Sequence, residues 1–532
     1  MIELAAETAK DGFEPAKWWS GGILYHVYVR SFMDSGGDGV GDLRGAIDRL
    51  GYLSDLGVDG VWLSPIMPSP NCDWGYDVSE YLGVDPDLGT LDDLDEFIAT
   101  ANQLGIEVML DLVPNHTSSE HPWFVSATSG IDSPHREYYV FADPRDDGSP
   151  PNNWLDATGE PAWTLDEASG QYYLHNYLPS QPDLNWWNED VHAEFLRILR
   201  FWFDRGVAGF RIDVAHGIYK DRELRDDPPA IEADPHWARF GLRPVYSMNR
   251  GEVHSLFRTW RSLAEEYAKP RVLLGETWVP DVERMASFYG DGDELNLAFN
   301  FPFLFSEFEP LGLAKVVRET LSALPRGAVP VWTGSNHDVS RFPTRWARGS
   351  IKMTRMALLL LLTLPGTAVL YYGDELGAAD VEVSPADQRD LMSAGRKGFQ
   401  RDRARTPMLW NQKPGRGFTV PGVTPWLPFG SGKEVDVASQ LGVDSSNLEL
   451  ARSLIRARKQ FPEEALSYQE LSVSAQGWRY QARGLSVFLN FSGEVQTISL
   501  PGTGDYISTG KLRLGEGTVS VGPLEAVVRE KR

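Results

Sequence analysis

The sequence predicts an α/β fold, a (β/α)8 TIM barrel with an inserted subdomain after strand 3 and a C-terminal antiparallel β-sandwich domain. Short runs rich in Val, Ile and Leu recur along the chain, each bounded by Gly, Asp or Pro. The runs are continuous rather than alternating, which is typical of parallel strands covered on both faces. Segments long enough for a helix separate them, although a doubly wound α/β sheet would show the same local pattern.

Eight of these runs are the predicted barrel strands. They are Ile23–Val29, Gly60–Leu63, Glu107–Leu112, Gly209–Ile212, Val272–Gly275, Leu297–Phe301, Val329–Thr333 and Val369–Tyr372. The longest apolar stretch, Met356–Tyr372, is interrupted by Pro365 and Gly366 and is shorter than the roughly 20 residues of a membrane helix. It therefore predicts a buried helix that leads into the eighth strand.

Two long gaps and a change of period predict the domain organisation. We assign the barrel to 1–113 and 188–462, and a loop-rich insert, rich in Pro, Gly, Asp, Asn and aromatic residues, to 114–187. An irregular segment, about 377–443, follows the eighth strand. Apolar residues recur at helical spacing from 446 to 461, and short strands with Gly-containing turns then predict the β-sandwich at 463–532.

The composition excludes several classes of partner. The 532 residues include 50 Lys and Arg against 75 Asp and Glu, a formal net charge of -25. Such a surplus of acid repels polyphosphates, so nucleic acid and anionic membranes are poor partners. The single cysteine, Cys72, cannot form an internal disulfide, and the first residues show no basic flank before an apolar run. We therefore expect a cytoplasmic monomer or homodimer.

Ionisable side chains follow four of the predicted strands, at the end where parallel barrels hold their reactive groups. The segments are DLVPNH (111–116), GFRIDVAH (209–216), LLGETW (273–278) and GSNHDVSR (334–341). Arg211 and Asp213 lie two residues apart on one face of a strand, so we expect the guanidinium to lower the pKa of Asp213 and hold it ionised. Crowding with Glu276 and Asp338 would raise the pKa of one carboxyl of the set.

One ionised and one protonated carboxyl on either side of a bond are the groups that glycoside hydrolysis uses, without a metal or an organic cofactor. His116 and His337 offer hydrogen bonds to sugar hydroxyls. Taken singly, an Asp at a strand end is more often a helix cap and a His more often a structural residue. Their common placement at strand ends favours a catalytic set of Asp213, Glu276 and Asp338.

Together with GVDGVWLSPI (57–66), QPDLNW (181–186) and PGTAVLYYGDE (365–375), these segments resemble the motifs of glycoside hydrolase family 13, the α-amylase family. The similarity extends over about 17–530 and is to the oligo-1,6-glucosidase and dextran glucosidase branch. It implies a retaining, exo-acting α-glucosidase that releases α-glucose from the non-reducing end of short α-glucosides of the maltose, isomaltose or sucrose type. In it Asp213 would be the nucleophile, Glu276 the general acid/base and Asp338 the transition-state stabiliser.

The resemblance also implies a set of residues that hold the glucose unit. They are Asp73, Tyr76, His116, Arg211 and His337, with Arg401 as the partner of Asp73 and Arg405 as the second choice. A transglucosidase, or a sucrose- or trehalose-converting enzyme of the family, would share every catalytic residue. A non-catalytic sugar-binding relative would lack Asp213 or Glu276, and this chain retains both.

The loop DSGGDGVGD (34–42) predicts a structural Ca²⁺ or Mg²⁺ site. Asp34, Asp38, the carbonyl of Val40 and Asp42 are spaced like the ligands of a calcium loop that lacks its terminal Glu. The glucosidases that the chain resembles bind Ca²⁺ or Mg²⁺ in this loop, but Gly36 replaces their usual Asn. The alternative is a Gly-rich turn with solvated acids.

The residues around the two catalytic carboxyls leave the preferred linkage open. In the family that the chain resembles, Val after the nucleophile, as in Val214, accompanies α-1,6 preference. The following Ala215 and His216, and the pair Thr277 and Trp278 after the acid, depart from the α-1,6 enzymes.

Overall fold

A computed structural model describes residues 17–231, 241–279, 281–393, 400–430 and 435–530. The first sixteen residues, on which the prediction of a cytoplasmic location rests, lie outside this part, as does the beginning of the segment 1–113. Within the described ranges, no helix is both long and apolar enough to span a membrane.

Strands are found in three regions of the chain. In chain order they are β1 (Ile23–Val27), β2 (Gly60–Leu63), β3 (Glu107–Leu112), β4 (Phe141–Ala142), β5 (Trp163–Asp166), β6 (Gln171–Leu174), β7 (Gly209–Ile212), β8 (Val272–Gly275), β9 (Leu297–Ala298), β10 (Val331–Thr333), β11 (Thr367–Tyr371), β12 (Tyr468–Ser474), β13 (Gly477–Ala482), β14 (Leu485–Asn490), β15 (Gln496–Ile498), β16 (Tyr506–Ser508), β17 (Arg513–Gly515), β18 (Thr518–Val521) and β19 (Glu525–Glu530).

Helices connect the barrel strands and close the barrel. Those in the described ranges are α1 (Leu43–Asp48), α2 (Leu50–Leu56), α3 (Leu91–Gln103), α4 (Pro122–Ala127), α5 (Glu189–Asp204), α6 (Val253–Glu265), α7 (Val282–Ser287), α8 (Phe301–Phe305), α9 (Pro310–Ala323), α10 (Phe342–Arg345), α11 (Ile351–Thr363), α12 (Val437–Gln440) and α13 (Asn447–Arg458).

Eight strands form one parallel sheet in the order β10-β11-β1-β2-β3-β7-β8-β9, a nearly closed (β/α)8 barrel as predicted. The strands β2, β3, β7 and β8 have the predicted bounds. Three others, β1, β9 and β10, are shorter than predicted, and β11 begins two residues earlier and ends one residue earlier than predicted. Local geometry explains the ends of β1 and β9. The chain after Val27 forms a 3-10 turn, and Asn300 caps α8, whose first turn contains Pro302. Continuous apolar runs therefore identified the strands, and turn and cap residues set their ends.

Additional strands build the insert and the C-terminal domain. Between β3 and β7 lies a small antiparallel sheet in the order β4-β6-β5. After α13 two antiparallel sheets follow, β12-β13-β14-β19-β16 and β15-β18-β17. Phe488, Val519, Val521 and Val527 are buried in one apolar cluster between these two sheets. The helix α11 is apolar on nearly every side because it packs between the barrel and this C-terminal domain.

The buried guanidinium of Arg458 ties α13 to the barrel strands. It donates to the backbone carbonyls of Gly21 at 3.2 Å, Leu362 at 3.0 Å, Leu364 at 2.8 Å and Gly366. Each of these carbonyls lies near the end of a helix or just before a strand, where the regular backbone hydrogen bonds of that element are incomplete. One side chain thus satisfies backbone groups from three parts of the barrel floor.

We expect Arg458→Leu to destabilise the protein by about 3–5 kcal/mol, because the buried carbonyls of Leu362 and Leu364 would lose this donor and those of Gly21 and Gly366 would keep only Arg483. Chemical denaturation measures this loss. In the exposed neighbour variant Arg456→Leu the change should stay within about 0.5 kcal/mol. Equal unfolding midpoints for the two variants would contradict this role of Arg458.

Candidate active site

The carboxyl ends of four barrel strands deliver ionisable side chains to one region of the molecule, where a pocket opens. Asp111 on β3 pairs in register with Arg211 on β7, and Asp213, Glu276 and Asp338 follow β7, β8 and β10. The pocket is lined by side chains of the barrel loops, of the insert and of the connection between β7 and β8. They include Asp73, Tyr76, His116, Leu155, Asp156, Ala157, Asn176, Tyr177, Asp213, Val214, His216, Leu242, Pro244, Met248, Glu276, Trp278, His337, Asp338, Met392 and Arg401.

One buried guanidinium holds three carboxylates at the centre of this pocket. Arg211 Nη1 donates to Asp111 Oδ1 at 2.8 Å and to Asp213 Oδ1 at 2.6 Å, and its Nη2 lies 2.9 Å from Glu276 Oε1. The second oxygen of Asp111 accepts from the Tyr76 hydroxyl at 2.9 Å. Because Asp213 binds Nη1 and Glu276 binds Nη2 of the same guanidinium, these two carboxyl groups are kept close together and in a fixed orientation.

Arg211 carries one positive charge and contacts three carboxyl groups, and the pKa of Asp213 differs from the prediction. Burial raises the pKa of Asp213 well above its usual range, Arg211 opposes that rise, and repulsion from Glu276 adds to it. Burial likewise raises the pKa of Asp111 to about 6. The expected lowering of the Asp213 pKa is wrong because burial outweighs the effect of Arg211, which also contacts Asp111 and Glu276. The cluster as a whole therefore keeps a proton under conditions where separate carboxyls would be fully ionised.

The backbone directly after Asp213 orients the carboxyl group of Glu276. Val214 has φ of 47°, a left-handed conformation that is strained for a β-branched residue. In this conformation its N–H donates to Glu276 Oε2 at 2.9 Å. The N–H of Ala215 donates to the Glu276 carbonyl at 3.1 Å. Glu276 is thus oriented from both sides, by Arg211 on one oxygen and by Val214 on the other.

A second cluster forms the closed end of the pocket. Arg401 Nη2 lies 2.6 Å from Asp73 Oδ1, so Arg401 rather than Arg405 pairs with Asp73. Gln181 Nε2 lies 3.2 Å from the other oxygen of Asp73 and 3.1 Å from His116 Nε2. These groups are buried, and hydrogen bonds link them into one wall.

Asp338 is held by two guanidinium groups and an imidazole. Its Oδ1 accepts from Arg401 at 3.1 Å and Arg405 at 3.0 Å, and its Oδ2 lies 3.1 Å from His337 Nε2. Burial, together with the positive charge of Arg405, lowers the pKa of His337 well below its usual range. His337 is therefore neutral, and the ring of Tyr76 stacks on it at 5.1 Å between centroids.

The structure adds residues that the sequence analysis did not assign to the site. Asp111 and Gln181 lie in motifs that were recognised, so their positions in DLVPNH and QPDLNW were an available signal. Asp390 binds Arg401 through two hydrogen bonds of 2.9 and 2.6 Å. It lies in the irregular segment after β11, where nothing in the local sequence distinguishes it.

The predicted cation loop is held by its own hydrogen bonds. The carboxylate of Asp34 accepts from the N–H groups of Gly37 and Gly39 and from the Thr419 hydroxyl, and that of Asp42 accepts from Ser35 and Gly45. Asp38 accepts from the N–H of Val40 at 2.9 Å. No three His, Cys, Asp or Glu side chains in the described ranges form a group that could hold an ion. Donors from the chain thus occupy the three acids of the loop as they are placed, and the ion site remains a prediction.

Comparison with known proteins extends these observations to the whole chain. The family described as "Alpha amylase, catalytic domain" matches residues 26–469. The chain is 39% identical over 528 residues to a probable alpha-glucosidase of Rhizobium meliloti strain 1021, covering 93% of each protein. It is 35% identical over 487 residues to an oligo-1,6-glucosidase of Heyndrickxia coagulans, covering 84% of this chain and 86% of the relative. The crystal structure of the alpha-glucosyl transfer enzyme XgtA superposes with a TM-score of 0.89 at 34% identity, covering 97% of this chain and all of the other.

We expect the thermal midpoint to be the same with EDTA and with millimolar Ca²⁺ or Mg²⁺, because the acids of the loop 34–42 already have donors. An ion present at a hundred times its dissociation constant would stabilise the protein by about 2.7 kcal/mol. A rise of the midpoint that Asp38→Ala abolishes would show that the loop rearranges to bind an ion.

Proposed function

The chain belongs to the α-amylase family, glycoside hydrolase family 13, and on this premise we propose that it is a retaining, exo-acting α-glucosidase. Its products would be α-glucose from the non-reducing end of short α-glucosides. The observation that carries the proposal is the bridging of Asp213 and Glu276 by Arg211 inside one pocket. The names of the relatives, a probable alpha-glucosidase and an oligo-1,6-glucosidase, support the same activity.

In the proposed mechanism Asp213 attacks the anomeric carbon while Glu276 protonates the glycosidic oxygen. A β-linked glucosyl-enzyme forms, and the aglycone leaves with the proton from Glu276. Glu276 then takes a proton from water, which attacks the anomeric carbon and releases α-glucose. The proposal places the proton of the Arg211 cluster on Glu276 and leaves Asp213 ionised, so that protonation of the leaving oxygen and attack on the anomeric carbon occur in one step.

Asp338 would bind hydroxyls of the glucose ring as the ring flattens toward the transition state. Its two arginine partners, Arg401 and Arg405, and neutral His337 fix its carboxylate in advance, so little reorganisation is needed during the reaction. Metal and organic cofactors have no part in these steps.

Exo-action is proposed from the closed end of the pocket. Asp73, held by Arg401 and Gln181, would bind the terminal hydroxyls of the glucose unit, and His116 beside it would bind a further hydroxyl. Asp390 accepts from Nε and Nη2 of Arg401, so it shares Nη2 with Asp73. A longer glucan could not extend through this hydrogen-bonded wall, so only a chain end would fit.

Transglucosylation is a second candidate function, favoured by the structural similarity to an alpha-glucosyl transfer enzyme. The two activities share the glucosyl-enzyme and differ only in whether water or a sugar hydroxyl attacks it. Chromatography of products at low and at high sugar concentration distinguishes them, because oligosaccharides longer than the substrate arise only by transfer.

We expect Asp213→Ala to lose at least a thousandfold in kcat on maltose and on α-glucosyl fluoride, because both reactions need the nucleophile. Glu276→Gln should lose as much on maltose, but form the glucosyl-enzyme readily from the fluoride, whose leaving group needs no proton. Steady-state and burst kinetics measure these effects, with exposed Glu516→Gln as the control. A near-normal rate on maltose in either variant would contradict its assigned role.

We also expect the first sugar released from maltose, isomaltose or sucrose to be α-glucose, because two displacements retain the anomeric configuration. Proton NMR within the first minutes, before mutarotation, distinguishes the anomers. Initial β-glucose would exclude the retaining mechanism.

A further inference from the structure

Asp156 is a buried carboxylate of the pocket that none of the steps above uses. It belongs to the insert, between Leu155 and Ala157, which line the same pocket. Neighbouring residues tie this loop to the connection between β7 and β8. Trp154 Nε1 donates to the Arg225 carbonyl at 2.8 Å, and the N–H of Asn153 donates to Asp226 at 2.9 Å. Asp156 therefore lies on the wall made jointly by the insert and that connection.

Only one of the two oxygens of Asp156 is used by the protein. Oδ1 accepts from the N–H of Thr158 at 2.7 Å, from the Thr158 hydroxyl and from the N–H of Glu160 at 3.1 Å. Among the described residues no group donates to Oδ2, and no Lys or Arg pairs with this carboxylate. Oδ2 is not among the enclosed polar atoms that lack a partner, so it stays accessible from the pocket.

Asp156, which carries the free Oδ2, is a buried residue, and several apolar side chains line the same pocket. The side chain is only 6% exposed, and burial raises its pKa. The pocket lining contains the apolar residues Leu155, Ala157, Leu242, Pro244 and Met248, together with the polar residues Asn176, Asp227 and Ser247. Because Oδ2 is accessible from the pocket, a ligand hydroxyl can replace water as its hydrogen-bond donor.

The position of Asp156 separates it from the glucose-holding end. That end is built around the ion pair of Arg401 with Asp73, and no hydrogen bond or ion pair in the described ranges joins Asp156 to either residue. In the proposed mechanism the glucose unit lies between Asp73 and Glu276, which leaves the wall that carries Asp156 for the aglycone.

We propose that Asp156 determines aglycone specificity by accepting a hydrogen bond from a hydroxyl of the aglycone, and that the aglycone is a neutral, hydroxyl-bearing ring. The apolar residues of the lining cover a face of that ring, and Oδ2 binds one hydroxyl at its edge. An anionic aglycone is disfavoured by the negative charge of Asp156. This inference rests on the proposed α-glucosidase function and adds the class of aglycone to it.

The test compares Asp156→Asn with the wild type on three substrates. Maltose has a hydroxylated aglycone, p-nitrophenyl α-glucoside has none of these hydroxyls, and 4-carboxyphenyl α-glucoside has an anionic one. Asparagine keeps an oxygen for the Thr158 and Glu160 donors, so the turn is preserved, and it replaces the free acceptor with a donor. Glu167→Gln, an exposed change of the same charge in the same insert, is the matched control.

We expect kcat/KM for maltose to fall about tenfold in Asp156→Asn, as for a lost hydrogen bond to a charged group. The value for the nitrophenyl glucoside should stay within about twofold, and that for the carboxyphenyl glucoside should rise about threefold or more as the repulsion disappears. Glu167→Gln should change none of them. Equal losses on maltose and the nitrophenyl glucoside, or no loss on either, would overturn the assignment.

A second measurement uses the wild type alone and does not depend on the variant folding. Among maltose analogues that lack one hydroxyl of the reducing glucose, at least one should lose about tenfold in kcat/KM. Losses below about twofold throughout the series would also overturn the assignment. A wild-type chain inactive on both maltose and the nitrophenyl glucoside would contradict the proposed α-glucosidase function itself.

Discussion

The sharing of one buried guanidinium by three carboxylates is the constraint on which the rest of the site depends. Arg211 contacts Asp111, Asp213 and Glu276 within 2.9 Å, and it is 1% exposed. Three negative groups cannot all stay ionised around one positive charge in a buried site, so the cluster keeps a proton. Retaining glycoside hydrolysis needs that combination of bound proton and carboxylate. The parallel barrel makes it attainable because β3, β7 and β8 end side by side.

A second guanidinium, that of Arg401, joins the carboxylates that we assign to glucose binding and to stabilisation of the transition state. Arg401 contacts Asp73 at the closed end, Asp338 near the reaction centre and Asp390 behind both. One side chain thus connects the two carboxylates directly. The two arginines differ in their roles. In the proposed mechanism Arg211 affects the protonation of Asp213 and Glu276, whereas Arg401 positions Asp73 and Asp338.

Sequence reasoning identified the barrel strands and the residues at their ends because both are local features. Continuous apolar runs predicted β2, β3, β7 and β8 with their bounds. The pKa of Asp213 was predicted with the wrong sign, because its burial and the competing contacts of Arg211 are long-range properties. Asp390 and Asp156 were not found, since each lies in an irregular segment and gains its role from distant partners. Sequence spacing also suggested ligands in the loop 34–42, but spacing does not show which donors occupy its carboxylates.

The central claim is that Asp213, held by Arg211, forms the bond to the sugar. Trapping the intermediate with 5-fluoro-α-glucosyl fluoride tests it most directly, because the fluorine slows the second step and lets the glucosyl-enzyme accumulate. Peptide mass spectrometry then locates the added sugar. The account predicts a single label on Asp213. A label on Glu276 or Asp338, or turnover without any covalent species, would contradict it.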